Sequence, residues 1–148
     1  PPRVFILSPH LGVVQRGFEA SSWEIFQALK DSPEIELHHF RGARPSGHPR
    51  DQVAWSLRLK SFWNRISSIL SFKSAEVISQ ETFFWGILPH IFSKSPGLIV
   101  LQDRHLAHKL YHLKKFLHLK FKIYFINGGP FLPPFPRFDC VQHLTEFY

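Results

Sequence analysis

Residues 12–17 (Gly-Val-Val-Gln-Arg-Gly) form the first segment whose residue types and spacing suggest chemistry. They follow an apolar run and precede a helical pattern. Unpaired amides and the dipole at a helix start can receive an anion there, and Arg16 would add a charged donor. The segment is neither a P-loop, because Phe18-Glu19 follows Gly17 where Lys-Ser/Thr is required, nor the three-glycine dinucleotide fingerprint. A plain strand-to-helix turn has the same appearance, and both readings stay open. Asp103 is the second candidate. It lies between a strand-like run and a helix-like one, where Asp serves equally as a helix N-cap or as a carboxylate presented at a sheet edge.

Other constellations point to bland accounts. His105, His108 and His112 fall within about 60° on one helix face, but no carboxylate or cysteine nearby in sequence completes a metal set, and a solvated polar face accounts for them. His38 and His39 are adjacent in a strand-like run, so their side chains point to opposite faces. No Gly-x-Ser-x-Gly elbow supports Ser-His-Asp catalysis, and Cys140 has no cationic neighbour in sequence to activate it. As the single cysteine it excludes an intrachain disulfide and a cysteine-based zinc site, and it fits a reducing compartment. The proline-rich residues 130–136 read as an ordered connection. The cationic segment 59–73 reads as a helix packed on the sheet, with an anionic membrane surface as the alternative for Phe62, Trp63 and Ile66.

Alternating elements must position these groups. Residues 3–8, 35–40, 98–101, 120–126 and 140–144 are apolar, β-branched and aromatic runs of strand length. Between them, residues 18–30 place Phe18, Ile25 and Leu29 on one stripe with Phe26 beside it. Residues 59–72 align Leu59, Phe62, Ile66, Ile69 and Leu70. Residues 76–92 are helical with Pro89 as a kink or stop, and residues 104–118 carry Leu106, Leu110, Leu113 and Leu117. Residues 41–51 read as a Gly/Pro/Arg-rich loop. The pattern predicts an α/β fold: a Rossmann-like three-layer sandwich with a mostly parallel sheet of five or six strands, residues 4–7 and 98–101 central and adjacent. Loops with Gly, Asp or Asn follow the strands at their C-terminal ends, the edge at which open α/β sheets bind ligands.

A length of 148 residues fits one domain, residues 1–148, and 44% hydrophobic composition supports a full core. The 16 Phe, 4 Trp and 3 Tyr exceed what such a core needs, so some aromatic surface is expected to face a partner. A net charge of +7, from 18 basic and 11 acidic residues, favours anionic partners. No stretch approaches the roughly 18 apolar residues of a spanning helix, and no recognised nucleic-acid motif appears. The absence of methionine suggests a piece of a longer protein.

The order of motifs resembles family 4 glycosyltransferases. Residues 8–29 resemble their first strand, glycine loop and helix, especially in a bacterial branch with an Arg-Gly-Phe-Glu loop, here Arg16-Gly17-Phe18-Glu19. Residues 97–103 resemble the later strand that usually ends His-x-His-Asp, with Val100 and Gln102 where the histidines would stand. Phe125-Ile126-Asn127-Gly128 resembles Thr-x-His-Gly, with Asn127 for His, and residues 139–145 resemble the last strand of the N-terminal domain. The resemblance implies one half of a GT-B fold: the acceptor-side domain of a retaining glycosyltransferase that moves a sugar from a nucleotide-sugar to a sugar or lipid acceptor. It implies no cofactor and no metal, and a separate C-terminal domain for the donor. It also implies a cytoplasmic location, peripheral to the inner face of a membrane where the basic segment meets anionic lipid. Carried onto this chain, Asp103 and Asn127 are the catalytic candidates, and Gly12, Arg16, Gly17, Glu19, Gln102 and Gly128 the substrate-binding ones. The alternative is a non-catalytic α/β module whose basic aromatic surface binds anionic membrane or nucleic acid.

Overall fold

A computed structural model of the protein describes residues 1–13, 17–128 and 138–143. In chain order the elements are β1 (Arg3–Ser8), α1 (Gly17–Leu29), β2 (Glu36–Arg41), β3 (Asp51–Val53), α2 (Phe62–Ser71), α3 (Ala75–Lys94), β4 (Leu98–Leu101), α4 (Arg104–Phe116), β5 (Lys122–Asn127) and β6 (Cys140–His143). All six strands are parallel, in the order β3-β2-β1-β4-β5-β6. The expected Rossmann-like α/β architecture is therefore present, with β1 and β4 adjacent at the centre and Phe5 opposite Ile99. The chain winds outward from β1 to β3, returns to β4, and winds outward the other way. The gap between the ends of β1 and β4 is the topological switch point.

The main core lies between the sheet and α3 and α4. Phe5, Leu7, Phe40, Ile99, Leu101, Ile123 and Phe125 meet Phe83, Ile87, Leu106 and Leu110, all essentially excluded from water. Gly86 permits this packing: a Cβ there would lie 2.2 Å from the Trp55 carbonyl oxygen. Pro89 does not stop α3, which runs on to Lys94. Its ring and Trp85, the residue whose carbonyl loses its helical partner, both lie on the exposed side, where water can satisfy that carbonyl. Leu117 of the expected α4 stripe lies beyond the helix and is exposed.

Three other expectations change. Among the described side chains α1 buries Glu19, Ser22 and Phe26, while Ile25 and Leu29 are 36% and 41% exposed, because beside Ile6 and Leu37 the helix rests on polar side chains from β1 and β2. The side chain of Phe18, expected on the same stripe, lies outside those described. Residues 41–51 end in a short strand, β3, whose Asp51 pairs with His39; with no apolar run it carries no strand signal. Segment 59–73 forms α2, but its apolar stripe does not face the sheet. Its buried residue is Asn64, whose Nδ2 donates to the carbonyls of Leu57 and Ala75, both at 3.0 Å. The helix is thereby tethered by one end to α3 and leaves Phe62, Trp63, Ile69 and Leu70 in solvent. No helix among the described residues is long and apolar enough to cross a membrane.

Candidate functional site

The loop after β1 is shaped by two close backbone approaches. Gly12, at φ +87°, would put a Cβ 2.5 Å from the carbonyl oxygen of Ala43, and Gly42 would put one 1.9 Å from that of Pro9. The loops after β1 and β2 are thus pressed together, and His10 is held only 2% exposed. Its Nε2 lies 3.7 Å from Asp103 Oδ1 and 3.8 Å from Glu76 Oε1. Asp103 precedes α4 as its N-cap but makes no side-chain cap bond; its Oδ1 instead accepts a hydrogen bond of 3.0 Å from Gln80 Nε2. Glu76 lies in the first turn of α3, begun by Ser74, whose hydroxyl accepts from the Val77 amide. Three elements therefore deliver an imidazole, two carboxylates and a carboxamide to the switch point.

Gln102, Asn127 and Gly128 gather at the same edge. Gln102 lines a pocket of about 110 Å³ with Ile6, Ser21, Ser22, Ile25, Val100, Ile126 and Gln142. A Cβ on Gly128 would approach the Gln102 side chain to 3.1 Å, so the two are neighbours. Asn127 ends β5 and is 1% exposed. Gly17 opens α1, and a Cβ there would meet nothing within 4 Å. Glu19 is buried in the first turn of α1, with Oε2 lacking a hydrogen-bond partner among the described residues. Arg16 lies outside the described residues, as do residues 130–136. Of the expected site residues, Asp103 is brought to His10 and Gln102 to Gly128. Gly12 has a reason to be glycine in the chain's own packing.

His10, Glu76 and Gln80 carried no sequence signal of their own. His10 stood in a loop that read as a turn, and Glu76 and Gln80 are separated from Asp103 by β4 and most of α3. Only the docking of α3 against the end of β1 makes them one cluster. Among the described residues no other group of His, Cys, Asp and Glu side chains could hold one ion. His105 instead lies 3.4 Å from Glu81, and His108 stacks on His112 and meets Phe138 edge-on.

A second polar cluster lies beneath α1. His39 Nδ1 is 2.8 Å from Asp51 Oδ1, and its Nε2 is 3.1 Å from Ser8 Oγ. Ser8, His39 and Asp51 thus line up in the manner of a nucleophile, a base and its orienting acid. All three are buried, and the Ser8 hydroxyl is also bonded to Ser22 at 2.8 Å, so no carbonyl can reach it. Arg41 donates from Nε to Asp51 at 2.9 Å and lies 4.6 Å over the Trp23 ring. The cluster joins the ends of β1, β2 and β3. Burial alone would raise the Asp51 pKa, but hydrogen bonds from His39 and Ser46 outweigh it and hold the carboxyl at about 2. Burial pushes His39 below its ordinary value despite Asp51, leaving the imidazole neutral. On the opposite face His38 bonds Glu36 at 2.9 Å and approaches Lys94, as the alternation of the strand requires.

Comparison with family models, with curated proteins and with solved structures returns no match.

Proposed function

We propose that this chain is the acceptor-side domain of a retaining glycosyltransferase that moves a sugar from a nucleotide-sugar to a sugar or lipid acceptor. The observation that carries the reading is the convergence of three strand ends, β1, β4 and β5, at one edge beside the switch point. They contribute the residue 9–12 loop, Gln102-Asp103 and Asn127-Gly128. These are the segments in which the sequence resembles family 4 enzymes, and they are remote from one another in the chain. In this reading Asp103 and Asn127 meet the acceptor, and Arg16 and Gly17 meet the donor phosphates, whose negative charge suits a helix start. A retaining front-face reaction, in which a donor phosphate oxygen takes the acceptor proton, needs no histidine at positions 100, 102 or 127. The donor would be held by a second domain, and the nucleotide-sugar is a substrate, so no cofactor is required.

The test uses the longest protein in which this chain occurs, supplied with a panel of nucleotide-sugars and simple acceptors, with nucleotide release as the readout. Acceptor-dependent release that falls at least about tenfold in Asp103→Asn, with unchanged melting, is the expected result. Release that is absent for every donor, or indifferent to Asp103→Asn, overturns the assignment.

One observation favours the alternative of a binding surface. Phe62, Trp63, Ile69, Leu70 and Phe72 are exposed beside Arg58, Lys60, Arg65 and Lys73, which are exposed as well. Phe72 is 98% exposed and held at φ +53°, a conformation uncommon for a bulky residue. A cationic helix with an outward aromatic face suits the headgroup region of an anionic bilayer. Co-sedimentation with phosphatidylglycerol vesicles tests it. Binding that disappears with neutral phosphatidylcholine supports the surface, and binding to neither vesicle removes it.

A further inference from the structure

We infer that His10, Glu76 and Asp103 form a site for a divalent transition-metal ion, with Zn²⁺ the best fit. The three ligand atoms lie within 4.8 Å of one another, on three separate elements. His10 Nε2 stands 3.8 Å from Glu76 Oε1 and 3.7 Å from Asp103 Oδ1, too far for direct hydrogen bonds. Those separations are a few tenths of an ångström wider than the roughly 3.4 Å edge of a tetrahedron built on bonds of about 2.1 Å. The third separation, between the two carboxylates, is bounded by 4.8 Å, so side-chain turns of both Glu76 and Asp103 would close the set around an ion. One imidazole nitrogen and two carboxylate oxygens suit Zn²⁺ or Mn²⁺ better than Mg²⁺, which prefers an all-oxygen octahedron.

Gln80 supplies an independent reason. Its side chain is buried and donates from Nε2 to Asp103 Oδ1, which fixes the carboxylate as an outer-shell partner of a metal ligand does. Its Oε1 is also buried and has no hydrogen-bond partner among the described residues. A water completing the coordination of a metal at this cluster would supply the missing O–H donor. Asp103 makes no side-chain cap bond to α4, and its Oδ1 faces His10 Nε2 across 3.7 Å. Three protein ligands leave a fourth position for water or for an oxygen of a bound phosphate or sugar, as in zinc sites that do chemistry. The sugar-transfer reading calls for no metal, so this inference goes beyond it and is tested by binding alone.

The whole chain, stripped with chelator and passed through a desalting column, is titrated with ZnCl₂ by calorimetry. One site per chain is expected, with Mn²⁺ weaker and Mg²⁺ silent. Glu76→Gln, at a half-exposed position outside the core, should weaken Zn²⁺ by about tenfold or more without changing the melting temperature of the metal-free chain, and Asp103→Asn should do the same. His108→Ala and His112→Ala should bind as the parent does, and zinc-edge absorption should report a nitrogen and oxygen shell with a single imidazole. The site is refuted if Zn²⁺ does not bind stoichiometrically, if Glu76→Gln and Asp103→Asn both bind as tightly as the parent, or if the helix histidines carry the affinity. None of these outcomes depends on sugar transfer.

Discussion

On one side of the sheet, α3 and α4 bury a continuous apolar layer, in which Phe83 and Ile87 interlock with Phe5, Leu7 and Ile99. On the other, among the described residues, Phe26 of α1 meets a small apolar group of Ile6 and Leu37 flanked by Val4, Trp23, Ile35 and Val100, beside a polar group of Ser8, Ser22, His39, Arg41 and Asp51. The first face derives its stability from area removed from water, which is indifferent to direction. The second obtains little from area and depends on hydrogen bonds whose geometry must be met, because a buried polar group left unpaired costs more than a bond returns. The polar face lies at the ends of β1 and β2, from which the candidate site is built. Directional bonds locate a loop more narrowly than apolar packing does.

The largest effects separate the two faces by the way they can be rescued. Phe83→Ala should lose about 3–5 kcal/mol in urea unfolding through the cavity it leaves. Asp51→Ala should lose about as much, because His39 and Arg41 keep buried polar atoms without their acceptor. Replacing His39, Arg41 and Asp51 together with apolar residues of similar volume should restore stability to near the parent value, since desolvation of the ion pair disappears with it. A triple variant as unstable as Asp51→Ala would show that the polar face is stabilising in its own right.

Acid separates the faces next. His39 is held neutral in the fold with its pKa below the ordinary value, so the unfolded chain binds its proton first. Stability is therefore complete above the ordinary histidine range and falls as pH drops below about 6.5, by at most about 1.4 kcal/mol per pH unit for each such histidine. His38 and His90 are depressed by burial in the same direction and add to the slope. Asp51, lowered from 3.8 to about 2, adds a second loss as pH falls through that interval. Melting followed from pH 7 to pH 5 should show a shallower slope in His39→Gln. An unchanged slope would place the acid sensitivity on the other face.

Two smaller effects sharpen the contrast between framework and surface. Gly17→Val adds a side chain where a Cβ meets open space, so melting should shift little, whereas sugar transfer should fall if this turn receives phosphate. Normal transfer in a folded Gly17→Val protein would make the turn structural only. Leu70→Ser, on the outward face of α2, should change stability by less than about 0.5 kcal/mol. A larger loss would mean that the face is covered by the protein itself.

Much of the frame was legible because it repeats local physics. The apolar runs at residues 3–8 and 98–101 are hydrophobic on both faces, as strands buried on both sides must be, and they stand side by side at the centre. The α4 stripe was correct through Leu113, which packs partly buried against the core, and failed only at Leu117. The stripes of α1 and α2 misled for opposite reasons. Periodicity reports which residues share a face, not what that face meets: α1 turns Glu19 and Ser22 inward beside Phe26, and α2 turns its apolar stripe outward while Asn64 anchors it. In the candidate site Asp103 was visible from its position between a strand and a helix. His10, Glu76 and Gln80 were not, since no local pattern links them.

Alternation of short apolar runs with amphipathic segments determined, by itself, the fold class, the centre of the sheet and the edge where loops would gather. Those depend on periodicity and on the burial of apolar area, which are written residue by residue. Tertiary structure decided which polar groups meet. The approach of His10 to Asp103 and Glu76, and the line of Ser8, His39 and Asp51, depend on separations of 2.8 to 3.8 Å between distant segments. Such distances are set by the docking of whole helices on a shared sheet, and no spacing within one segment encodes them.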